Sequence, residues 1–191
     1  MSEWHAIVVE GHKDAVRAFV AGFLADRGLD SSAVMLGDDV GLEHESLGER
    51  LRALLRGGHH VVLAPAPLAD PLVDAIARAA GELGLRVAER RPIRQASFAY
   101  TAEVFSREVA GAIRAAVGAL PAGVRFASHA EHEEARTEHA GVELYAPVHD
   151  YVYRTNARAV GPLDGVLAVR DRLHEIEAVT TTPLHLDGVS A

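Results

Sequence analysis

Short β-branched runs alternate with longer amphipathic segments through the first ninety or so residues, and this alternation constrains the fold more than any other feature of the chain. "HAIVVE" (5–10), "SAVML" (32–36), "HHVVLAP" (59–65) and "LRVAER" (85–90) read as strands. Between them, "KDAVRAFVAGFLADRG" (13–28), "ESLGERLRALLRGG" (45–58) and "DPLVDAIARAAGELG" (70–84) carry helical spacing and end in glycine. Asp70, followed by Pro71, is placed as the cap of the last helix. Strand–helix alternation of this kind predicts an open parallel sheet with crossover helices.

The period changes after "RPIRQA" (91–96), which divides the chain into residues 1–93 and 94–191. The second part reads as strand 97–105, helix 106–120, strand 123–133, strand 149–160, helix 161–176 and strand 178–186. That order, βαββαβ, predicts a ferredoxin-like α+β half with helices on one face of its sheet and the other face open. Along "HDYVYRTNARAV", Tyr151, Tyr153 and Thr155 share one side of the strand, and Val152, Arg154, Asn156 and Arg158 share the other. The tyrosines read as core. The second set, with Thr180 and Thr182, suits a polar ligand or a wet subunit interface.

A chain of 191 residues with 49% apolar content can bury a substantial core. Two halves of this size would each bury only ~65% of their unfolded surface, so an interface is expected, and a homo-oligomer formed through the second half is the expectation. The absence of cysteine excludes disulfides, thiolate metal sites and a thiol nucleophile. The net charge of −8 is shared by both halves, which argues against duplex nucleic acid as a partner. No apolar run reaches membrane-spanning length and no secretory pattern opens the chain, so the expectation is a cytoplasmic protein.

In a parallel sheet, ligands sit beyond the carboxyl ends of the strands. Glu10, Gly11, His12, Lys13 and Asp14 lie at that edge, where the first helix offers free N–H groups. Gly11 permits close backbone approach, and Lys13, the one lysine of the chain, suits a phosphate. Glu10 with Asp38 and Asp39 forms a candidate oxygen-ligand set for Mg or Mn. The ordinary alternative is a solvated turn with an acidic residue in the first helical turn.

"AIVVEGHKDAVRAF" resembles the opening motif of Toprim domains, with Glu10, Gly11, Asp14 and Ala15 at the matching positions. The resemblance covers the first 65 to 90 residues. It implies a parallel α/β fold and a metal held by the strand-ending glutamate together with an Asp-x-Asp pair at the end of the third strand. The chain departs from that pattern, because "VVLAPAPLAD" places Pro65 and Pro67 where the carboxylates belong. The expected function is therefore binding of a phosphorylated small molecule or nucleotide, with or without a divalent metal and without strong catalysis. A metal-dependent phosphoesterase or nuclease is one alternative, and an oligomeric interaction protein with no ligand at the Glu10 turn is another.

Eleven histidines raise a second metal possibility. In "HAEHEEARTEH" (129–139), His129, Glu131 and His132 are the candidate ligands, and Glu133 and Glu103 lie within reach of the same strand face. The His-Glu-x-x-His spacing of a zinc helix is missing, since Arg136 stands where the second histidine belongs. His59 and His60, at the amino end of an apolar strand, are expected away from the ligand edge. No Gly-x-Ser-x-Gly, Walker or Gly-x-Gly-x-x-Gly pattern is present.

Overall fold

A computed structural model of the chain describes residues 3–42, 58–135 and 151–187. Two compact units emerge: Met1–Ala96 with Pro183–Ala191, and Ser97–Thr182.

The first unit runs β1 (Trp4–Glu10), α1 (Lys13–Ala25), β2 (Met35–Leu36), β3 (His59–Pro65), α2 (Ala66–Leu83) and β4 (Arg86–Ile93). Its sheet has the order β2-β3-β1-β4, and every pairing is antiparallel. This overturns the expected open parallel, Toprim- or flavodoxin-like sheet. The reason lies in β1 and β3. Ile7, Val9, Val62 and Ala64 pack with Val16, Val20, Phe23, Leu72 and Ile76 of the two helices. On the opposite face, Ala6, Val8, Val61 and Leu63 are also buried. A strand buried on both faces loses its polar alternation and reads like the centre of a parallel sheet, although its ladder is antiparallel.

Helix α2 begins at Ala66, with Pro65 as its N-cap, so Asp70 is not a cap. Asp70 sits inside the helix and pairs with Arg90 of β4, whose Nε also lies 3.3 Å from His5 Nδ1. The expected helix over 45–58 falls almost entirely outside the described residues, as does much of the polar stretch before residue 149.

The second unit runs β5 (Gln95–Val104), α3 (Arg107–Gly118), β6 (Arg125–Ala135), β7 (Tyr151–Gly161), α4 (Leu163–His174) and β8 (Val179–Thr181); the short β9 (His185–Asp187) follows in the segment assigned to the first unit. Its strands lie in the order β6-β7-β5-β8, again antiparallel. Ser106 caps α3 by accepting a hydrogen bond from Val109 N. Buried Phe98, Tyr100, Tyr153 and Ala157 alternate with exposed Thr101, Glu103, Arg154 and Asn156, so the helices cover one face only.

Gly161 ends β7 against the 121–124 turn. A Cβ there would stand 2.8 Å from Gly123 O and 2.8 Å from Val124 Cα, both backbone atoms. In contrast, nothing lies within 4 Å of a Cβ on Gly111 in the middle of α3. We expect Gly161→Ala to destabilise the protein by about 1–3 kcal/mol through overpacking. Gly111→Ala should stabilise it by roughly 0.5–1 kcal/mol through helix propensity. Urea denaturation of both variants checks this; equal effects would contradict the packing described.

Candidate functional site

The turn that the sequence singles out is occupied by ion pairs. Glu10 faces Arg86, which donates from Nε at 2.7 Å and approaches from Nη2 at 2.5 Å. Lys13 Nζ lies 2.6 Å from Asp38 Oδ2, and Arg17 forks onto Asp39. His12 and Asp14, 3.8 Å apart, are 80% and 84% exposed, and the His12 side chain makes no capping bond. Gly11 adopts φ of 150°, which other residues rarely adopt, and a Cβ there would meet Leu85 Cδ2 at 2.4 Å, so backbone conformation and packing account for the glycine without a ligand.

The carboxylates do not converge. Glu10 is opposite His59 in register and shares its face with Ala6 and Val8. Asp38 lies on the helix side, where it lines a hollow of about 10 Å³ with Lys13, Val16 and His60. One water needs roughly that much room, so the hollow itself encloses no hydrated cation. Among the described residues, no three histidine, aspartate or glutamate side chains form a metal-holding group. The candidate set of Glu10, Asp38 and Asp39 therefore does not fit Mg or Mn here.

The antiparallel ladder also moves His59 and His60 to the Glu10 end of the sheet. His59 Nε2 lies 3.9 Å from Glu10 Oε2, and its side chain is only 10% exposed.

On β6 the candidate ligands separate as well. His129 and Glu131 face the helices, where Phe126 stacks on His129 at 5.1 Å, and His132 faces the other way, opposite Arg154. Glu131 and Glu133 are both held by Arg114 of α3, at 2.5 and 2.6 Å, and its guanidinium lies 4.5 Å from the centroid of Tyr153. Arg114 holds both carboxyls below their ordinary range. Burial, and then Glu131, pushes the Tyr153 hydroxyl up to about 12.

A different group does converge. The helix-free face of the second sheet is hollowed into a concavity of about 560 Å³ lined by Thr101, Glu103, His132, Arg154, Asn156 and Thr180. Thr101 and Thr180 are direct register partners on β5 and β8. Arg154 Nη2 donates to Glu103 Oε1 at 2.9 Å, and further along the same face Arg158 Nη2 donates to Ser97 Oγ at 2.9 Å. The Arg154 bond lowers the Glu103 carboxyl and raises the arginine. The sequence reading placed Arg154, Asn156 and Thr180 on this face, missed Thr101, and put Glu103 with His129. Alternation along "SFAYTAEV" carries Thr101 and Glu103 to the same side, and that was the available signal.

No protein-family model matches the chain, and no curated protein is significantly similar to it. The crystal structure of an unknown protein from Galdieria sulphuraria aligns over 97% of this chain and 98% of its own, at 12% identity and a TM-score of 0.29. That likeness is too low to bear on fold or function. No described helix is long and apolar enough to cross a membrane.

The Arg114 cluster yields a signed pH dependence. The folded carboxyls of Glu131 and Glu133 titrate below their unfolded values, so their contribution to stability is present above the ordinary glutamate range and lost as pH falls from there through the lowered folded values. Arg114→Met should therefore lower the melting temperature near neutrality and reduce its further fall on acidification. Thermal melts at neutral and acid pH measure this; the same acid-induced drop in both proteins would contradict it.

Proposed function

We propose that the protein binds a small phosphorylated molecule, and that it does so on the open face of the second sheet without turning the ligand over. The concavity carries this reading, because its size falls within the ~300–1,000 Å³ of small-molecule sites. Its lining includes one guanidinium, one amide, one imidazole and three threonine residues, beside the two glutamates Glu103 and Glu131. A guanidinium presents five donors in a planar fork that matches a phosphate. The Glu103 bond holds Arg154 in place, and Thr101, Asn156 and Thr180 offer hydrogen bonds to ligand hydroxyls.

Binding without turnover follows from the electrostatics. Glu103 and Arg154 each shift the other toward its charged form. A general acid or base working near neutrality needs the opposite shift. The proposal moves the phosphate away from the Glu10 turn, where Lys13 is already engaged by Asp38. A cytoplasmic setting belongs to the same proposal, since phosphate esters are retained behind membranes by their charge.

A ligand that binds only the folded state raises its melting temperature. Thermal shift with inorganic phosphate, glucose 6-phosphate and adenosine monophosphate at millimolar concentration should reveal stabilisation by a phosphate ester, and Arg154→Gln should remove it. Flat melting curves with all three, or a shift that survives Arg154→Gln, would contradict the reading.

A further inference from the structure

β6 stands at the edge of its sheet and spans eleven residues, nearly all of them exposed. β7 pairs with one side of it, and among the described residues no strand pairs with the other side. An edge strand of this length is a template for further pairing unless its side chains forbid it. Here they select one arrangement.

Two copies of β6 related by a two-fold axis along the sheet normal pair antiparallel, with residues of like parity opposite each other. Centred on Glu131, that carboxylate faces its own copy. Centred on His132, Glu131 faces Glu133. Centred on Ala130, His129 of each chain faces the partner's Glu131, Ser128 faces the partner's His132, and a methyl group meets a methyl group on the axis. An imidazole directly opposite a carboxylate offers it a hydrogen-bond donor, whereas like charges directly opposite destabilise a pair of strands. Within the strand, His129 Nε2 already stands 4.0 Å from Glu131 Oε2 and is stacked on Phe126, so imidazole and carboxylate sit side by side at the height where the partner presents the same two groups. The ladder irregularity between Phe126 and Ser128 ends the regular pairing, leaving five residues from each chain, 128 to 132.

We infer that β6 pairs with β6 of a second copy of this chain in the register centred on Ala130, forming one continuous sheet across two subunits. The seam runs beside the concavity, since Ala130 and His132 line it. The partner's Ser128 comes next to His132, so each ligand site is completed by a hydroxyl from the other subunit. This last point rests on the binding reading above; the pairing itself does not.

The chain contains no cysteine, so one introduced thiol reports one position. Cβ atoms directly opposite in an antiparallel pair lie ~4.5–5.5 Å apart, close to the span of a disulfide. Mild oxidation of Ala130→Cys should give a covalent dimer. Ser128→Cys, which faces the partner's His132, should give little. In sedimentation velocity, the unmodified chain should be a dimer, and His129→Glu, which sets carboxylate against carboxylate twice, should weaken it by about tenfold or more with its melting temperature kept. Equal cross-linking at both positions, none at Ala130→Cys, or an unchanged association in His129→Glu would overturn the inference. A monomer that is still stabilised by glucose 6-phosphate would overturn the pairing alone. A dimer with no such stabilisation would overturn the binding reading alone.

Discussion

The register of β7 between β5 and β6 is the constraint on which the proposed site depends. In that ladder Arg154 lies opposite His132 and bonds across to Glu103, and Tyr153 faces Arg114 beneath the helices. A slip of one residue would exchange the two faces, exposing tyrosines and burying guanidinium groups. Burial of Tyr100, Tyr151 and Tyr153 on the helix side makes that slip costly, since each aromatic ring carries a large apolar area. The polar face is thus fixed from behind, by the hydrophobic packing that it does not share.

The two units use one topology for different ends. Each has the element order βαββαβ and a sheet in which the first strand lies between the third and the fourth. In the first unit, Ala6, Val8, Val61 and Leu63 are buried on the face away from its helices. The corresponding face of the second unit carries Thr101, Glu103, Arg154 and Asn156. Burial of apolar area at ~25 cal/mol per Å² makes the first face a source of stability, and the exposed Arg154–Glu103 pair adds little to the second. The proposed binding site falls on the second.

Period-two alternation made the second sheet's faces legible, because one face is apolar and the other polar. Arg154, Asn156, Arg158 and Thr180 could be assigned to the open side from their parity alone. The first unit resisted for the same physical reason in reverse. "AIVV" and "VVLA" are apolar at every position, so they carry no sign of strand direction, and a strand–helix alternation was read as parallel. That error displaced the site. In a parallel sheet Glu10, Asp38 and Asp39 share an edge; in the observed ladder Glu10 points away from Asp38, and Arg86, Lys13 and Arg17 take up the three carboxylates. Ion pairing across 22 to 76 residues of sequence leaves no local signal. His59, placed beside Glu10 by strand direction, was misplaced on the same ground.

Nuclear magnetic resonance titration of the nitrogen-15-labelled chain with glucose 6-phosphate addresses the central claim most directly. Saturable amide shifts are expected at Thr101, Glu103, His132, Arg154, Asn156 and Thr180, with the Glu10–Asp14 turn unmoved. Shifts centred on Lys13, Asp38 and Asp39, or none on the second sheet, would contradict it.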